Sequence, residues 1–221
     1  DGPLFDATAQ LLAHYGYAVL SFNFRGSDGY GAAFKAAGFG QWGGLIQQDI
    51  ADAARWAIAT GVADSHRVAI FGTSFGAYAA MLNPILEPGL YRCAIGISGV
   101  YDLPLLFETG DVKRRTLGLN YLRKVIGADR ATLESISPLQ NAGKLDIPVL
   151  LAHGERDAHT PVVHARELRD ALLARGIEVD YLEAPREAHD FIDPDNRAEL
   201  FERILAFLQR HLGATTAAAA N

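Results

Sequence analysis

The chain has 221 residues, which fits one α/β domain, and at 49% hydrophobic and 21% charged residues it can bury a full core. Its formal net charge of -6 gives nucleic acid no electrostatic reason to bind. No apolar run approaches the roughly 18 residues needed to cross a bilayer. The single cysteine, Cys93, cannot form an internal disulfide; in the apolar stretch YRCAIGIS it reads as a small core residue, with a lean to a reducing, cytoplasmic setting.

The opening stretch DGPLFDATAQLL stands at the edge of a helix, with neither an initiator Met nor a leading strand. Strands, and any targeting signal, are therefore expected upstream of it. Residues 6–14 read as a helix with Leu11 and Leu12 on the buried side. Residues 17–24, YAVLSFNF, read as a strand, followed by the glycine-rich loop RGSDGYGAAFKAAGFGQWGG. Over 45–60, Ile46, Ile50, Ala53, Ala54 and Ala57 recur at helical spacing, and Gly61 marks the end.

The run 67–71, RVAIF, is short and almost wholly apolar, as a parallel strand covered on both faces should be. A small-residue helix is expected over 74–82, a buried strand over 93–98, and an irregular excursion over 100–127. A short helix is expected over 137–143 with Pro138 in its first turn. Then follow a strand at 148–152, a helix at 162–175, a strand at 178–183 and a last helix at 196–212. The tail 213–221 is patternless and is expected to fray. Strands alternating with helices imply one α/β domain over 1–212, a mostly parallel sheet with helices on both faces. In such sheets functional residues collect in loops at the carboxyl ends of the strands.

That rule singles out three places. After RVAIF comes Gly72-Thr73-Ser74-Phe75-Gly76, a G-x-S-x-G pattern between a strand and a helix. A nucleophilic serine there stands on a strained turn, and glycines two residues either side remove side chains that would collide. The Phe75 N–H then lies at a helix N-terminus, where it can stabilise an oxyanion. The strand IPVLLA runs into His153-Gly154-Glu155-Arg156-Asp157, and VDYLEA runs into a loop carrying His189. In this fold the order is serine, acid, histidine, so Asp157 is the candidate acid and His189 the candidate base.

Glu155 and Asp190 are close rivals for the acid. Among the other histidines, His14, His66 and His211 read as surface residues, His164 as an exposed helical one and His153 as a structural hydrogen-bonding group. His159 stands near enough to Asp157 to line the site. No ligand spacing points to a metal, and neither nucleotide glycine motif is present, so the chemistry needs no cofactor.

Asn23-Phe24-Arg25-Gly26-Ser27, Gly29-Tyr30-Gly31, GTSFGAY, HGERDAHTPV and EAHDF together resemble the prolyl oligopeptidase family of serine peptidases. The acylaminoacyl-peptidase and dipeptidyl-peptidase-like branches are the most similar. The resemblance implies an α/β-hydrolase fold, the triad Ser74, Asp157 and His189, and oligopeptide substrates. It also implies an apolar pocket for the residue before the scissile bond, near Val100, Tyr101, Leu103 and Leu106, with Phe75 adding to its wall. The alternative for these residues is core packing.

There are departures. The family's His-Gly-Gly-Pro-like segment, from which oxyanion donors can come, is absent, and so is the β-propeller that usually precedes the catalytic domain. His159 stands where many members have an arginine that can help hold a substrate carbonyl. The chain is thus expected to be a truncated catalytic domain, weak or inactive alone, with a propeller upstream or a homo-oligomer as its other partners. A carboxylesterase or lipase on the same fold, and a non-catalytic module, remain the alternatives.

Overall fold

The computed structural model describes residues 5–114 and 116–213. Four parallel strands form one sheet in the order β1 (Ala69–Thr73), β2 (Cys93–Ile97), β3 (Val149–Gly154) and β4 (Val179–Ala184). The helices are α1 (Ala7–His14), α2 (Ala32–Ala36), α3 (Leu45–Ala59), α4 (Phe75–Leu86) and α5 (Leu103–Glu108), then α6 (Thr116–Val125), α7 (Arg130–Ser135), α8 (Val163–Leu173) and α9 (Pro194–Leu212).

Strand side chains alternate between two cores. On one face, Ala94 of β2 with Val149 and Leu151 of β3 meet Ala77 and Met81 of α4 and Leu168 and Leu172 of α8. On the other, Cys93, Ile95, Ile97, Leu150 and Ala152 meet Ile204 and Phe207 of α9 and Leu12 of α1. This two-residue period explains why the strand runs are apolar throughout: both faces are covered. Each fully buried Val, Leu, Ile, Phe or Met among them contributes about 1.5–3 kcal/mol. A third cluster, built on Tyr78, Leu82, Leu103, Leu122 and Leu133, lies beneath the excursion α5–α7.

The helix ends follow local chemistry. Asp6 caps α1 by accepting from Ala9 N–H, and Asp193 caps α9 by accepting from Asp195 and Asn196 N–H groups, with Pro194 in the first turn. The last helix therefore starts two residues before the expected Asn196. The helix expected over 137–143 is instead a turn leading to a 3-10 segment, Ala142–Lys144. Side-chain bonds compete there: Ser137 Oγ donates to Leu133 O, and Asn141 Nδ2 donates to Ser135 O and Ser137 O. The expected tail lies outside the described residues except for Gly213.

The largest departure is at 17–24. The stretch that reads as a strand pairs with no other strand among the described residues. Among the described residues β1 likewise pairs only with β2, and no strand lies along its outer edge. Between them lies a slot of 980 Å³, lined by Leu20, Phe22 and Phe24 on one side and Ile70, Phe71 and Gly76 on the other. A strand exists only through its ladder. Segment 17–24 carries a β pattern, but among the described residues no strand pairs with it.

The glycine-rich loop after it is well held. Arg25 donates to both oxygens of Asp49 on α3, at 2.7 and 2.6 Å, and its backbone N–H donates to the same carboxylate at 3.0 Å. Gly26 and Gly38 lie so close that a Cβ on Gly38 would meet Gly26 Cα at 2.6 Å.

Candidate active site

β1 ends at Thr73 and α4 begins at Phe75; between them Ser74 has φ 58° and ψ -116°. A positive φ on a side chain other than glycine is strained and persists only where the surroundings hold it. Two contacts hold it here. Ser74 N–H donates to Ile97 O at 2.8 Å, pinning the elbow to the end of β2. Gly72 lies against Gly76, so that a Cβ on Gly72 would stand 2.2 Å from the Gly76 carbonyl carbon. The two glycines differ, contrary to the symmetric expectation: a Cβ on Gly76 would meet nothing within 4 Å and would face the slot beside β1.

Phe75 N–H has no hydrogen-bond partner among the described residues, as the first donor of a helix should not, and is free for an anion. The Phe75 ring packs against Trp42, Phe24 and Tyr78, with centroids 4.6, 5.6 and 5.8 Å away.

The candidate acid and base meet on the same sheet edge. His189 Nδ1 donates to Asp157 Oδ2 at 2.7 Å. The other carboxylate oxygen accepts from the N–H groups of His159 and Thr160 at 2.8 and 2.9 Å. Neither rival acid touches the imidazole: Glu155 accepts weakly from Arg186 N–H, and Asp190 acts on His189 only through its charge. The side chain of Asp157 is fully buried. Burial pushes its carboxyl up, but hydrogen bonds from His153, His189 and Thr160 outweigh that and hold it far below the usual carboxylate range. In return the bond to Asp157 raises His189 above its ordinary 6.5, against the lowering effect of its own burial.

Ser74 Oγ and His189 share no hydrogen bond among the described residues. Such bonds often close only in the Michaelis complex. The backbone nevertheless ties the two loops together through Ser98, which follows β2. Ser98 has φ 51° and is fully buried. Its Oγ donates to His189 O at 2.8 Å, and its carbonyl accepts from Thr160 Oγ1 at 3.0 Å. Its neighbour Ile97 receives the Ser74 N–H.

Ser98 therefore holds the base loop, braces the acid loop and flanks the elbow. Sequence reasoning missed it, because a serine at a strand end carries no signal of its own. Thr160 was missed too, although its hydroxyl lies 2.8 Å from Asp157 Oδ2. So was Glu187, a buried carboxylate that accepts from Ile192 N–H, Asp193 N–H and Asn196 Nδ2 and so shapes the loop around His189. Gly154 lets that loop approach β3: a Cβ on it would fall 2.0 Å from Ala188 O.

His159 stands beside the candidate base. Its ring stands edge-on to His189 at 5.2 Å, and its Nδ1 lies 2.8 Å from Asp111 Oδ2. The four apolar candidates are placed differently. Val100, Tyr101, Leu103 and Leu106 are 4, 0, 0 and 5% exposed and belong to the cores around α4 and α5, which favours their packing role over a pocket wall. Two histidines depart from expectation: His164 is fully buried, and His211 is mostly buried against Phe207. His153 is the buried hydrogen-bonding residue it was read as, donating to Thr160 O. Among the described residues no group of three His, Cys, Asp or Glu side chains could hold a metal ion.

The model of the prolyl oligopeptidase family matches residues 3–215. This chain belongs to that family. It is 34% identical to dipeptidyl aminopeptidase BIII of Pseudoxanthomonas mexicana over 209 residues, covering 92% of this chain and 30% of the relative. It is 26% identical to an acylamino-acid-releasing enzyme of Arabidopsis thaliana over 222 residues, covering 94% of this chain and 28% of that enzyme. A puromycin-hydrolyzing peptidase of Mycobacterium tuberculosis superposes with a TM-score of 0.81 at 29% identity, over 86% of this chain and 29% of that one. The family member thus has the α/β-hydrolase fold of serine peptidases, and the chain spans under a third of the length of these relatives. These likenesses favour the peptidase over the esterase alternative.

Proposed function

We propose that this chain carries the catalytic centre of a serine peptidase that cleaves oligopeptides through an acyl-enzyme on Ser74. The observation that carries the reading is the buried Asp157–His189 pair, bonded at 2.7 Å on the sheet edge where Ser74 occupies its left-handed elbow.

In this reading Ser74 Oγ attacks the scissile carbonyl carbon while His189 Nε2 takes its proton. Asp157 fixes the Nδ1–H tautomer and stabilises the imidazolium. The Phe75 N–H receives the oxyanion. His189 then returns the proton to the leaving amine, and water, activated the same way, releases the acyl group and frees Ser74. His159, beside the base and tethered to Asp111, is the candidate to contact substrate. Val100, Tyr101, Leu103 and Leu106 shape the site from beneath rather than by touching it.

The sheet is proposed to extend beyond β1. Its edge beyond β1, where no described strand pairs, the segment 17–24, which joins no sheet among the described residues, and the apolar slot between them support a further strand there, as does the open space over Gly76. A strand in that slot would lie beside the elbow, within reach to supply a second oxyanion donor. Losing one such donor lowers a rate by about 10²–10³.

The test is labelling by a fluorophosphonate, read by intact mass and peptide mapping, on this chain and on Ser74→Ala. One adduct on Ser74, abolished by the substitution, is the expected outcome. An adduct elsewhere, or labelling that survives in Ser74→Ala, would sink the assignment of the nucleophile.

A further inference from the structure

Two fully buried imidazoles stand behind the acid loop and take no part in the chemistry above: His153, near the end of β3, and His164, in the first turn of α8. Their tautomers follow from their neighbours. His153 Nε2 lies 2.7 Å from Thr160 O and 3.3 Å from Asp157 Oδ2. Both are acceptors, so Nε2 carries a hydrogen. His164 Nδ1 faces the N–H groups of Tyr101 and Asp102 at 3.4 and 3.3 Å. Its proton therefore sits on Nε2, and burial pushes its pKa down to about 4, so it is neutral at physiological pH.

His153 Nδ1 and His164 Nε2 are both buried without a partner among the described residues. This polar pair is kept beneath the one carboxylate that orients the base. The start of the loop is tied separately, by Glu155 N–H to Ala184 O and Arg156 N–H to Glu187 O, whereas Thr160, at its end, meets His153.

We propose that His153 is a positioning residue of the triad, whose Nε2 hydrogen anchors Thr160 and holds the Asp157 carboxylate in the orientation His189 requires. The proposal rests on the serine-peptidase reading. It carries a consequence of definite sign. A donor beside Asp157 Oδ2 draws off part of the negative charge that His189 feels. Removing it leaves a more exposed carboxylate charge and a more basic His189. The other groups around this pair are Thr160 and His159 of the acid loop, Asp190 of the histidine's own loop, Asp111 of the turn before α6, and His164 and Asp102 behind.

The experiment compares His153→Leu, which has no donor, with His153→Gln, whose amide nitrogen lies the same number of bonds from Cβ as Nε2. His153→Asn, polar but one bond shorter, is the control should the leucine variant not fold. Two quantities are read: the fluorophosphonate labelling rate against pH, and the pKa of His189 by NMR titration. Leu and Asn are expected to slow labelling about 10-fold, the scale of a hydrogen bond to a charged group, and to move the His189 pKa and the acid limb upward. Gln is expected to restore most of both. An unmoved His189 pKa in Leu and Asn overturns the proposal. So does a Gln variant as impaired as Leu, since packing alone would then explain the loss. The NMR titration does not require activity. A wild-type chain that takes no label would therefore count against the peptidase reading, and the His189 shift would still decide the role of His153.

Discussion

The two sides of the elbow are built by opposite means. Toward β3 and β4, every loop is closed by polar contacts: Asp157 accepts from two backbone N–H groups and from His189, Thr160 braces Ser98, and Glu187 gathers the donors of the base loop. Away from them, beyond β1, the contacts are apolar and open, with Phe71 36% and Leu20 45% exposed along the slot. The acid–base half is self-contained because directional bonds within a few loops fix it. The other half, on the proposed reading, would be completed by a strand ladder, and a ladder needs a second strand to exist at all.

The largest effect should come from the closed side. Asp157→Asn keeps the shape but leaves the tautomer of His189 wrong, and is expected to lower kcat/KM by about 10⁴. A loss under tenfold would mean that another carboxylate orients the base. The open side is probed by its two glycines. Gly72→Ala drives a Cβ into the Gly76 backbone and should cost about 3 kcal/mol of stability, seen as a drop in Tm with loss of labelling. Gly76→Ala should instead be neutral or stabilising by up to about 1 kcal/mol, since its Cβ meets open space on a helix. Destabilisation by Gly76→Ala would mean that the slot is filled in solution.

The smallest effect is a pH shift. His189 must be neutral to accept the Ser74 proton, and its pKa is raised above 6.5 chiefly by Asp157. Labelling should therefore rise with pH through a midpoint above 6.5. A midpoint at or below that value would mean that Asp157 does not act on the base.

Much of this was legible from residue order. The candidate serine, aspartate and histidine stand in loops that follow apolar runs, and the apolar runs became β1 to β4 within two residues. Where boundaries moved, a local signal explains it, such as Asp193 and Pro194 starting α9. The segment 17–24 carries a true β pattern, but pairing is a property of two segments, and its own residues say nothing about the second. Val100, Tyr101, Leu103 and Leu106 read equally as pocket or core, because hydrophobicity records only that a side chain leaves water.

The sequence by itself determined the alternation of elements, the elbow and the candidates for nucleophile, acid and base, because local periodicity and turn chemistry are written in neighbouring residues. Tertiary structure alone decided the rest. It chose Asp157 over Glu155 and Asp190, gave Ser98 and Glu187 their roles, and buried His153 and His164 behind the acid. Those outcomes depend on distances between atoms far apart in the chain, which only the packed sheet brings within a hydrogen bond of one another.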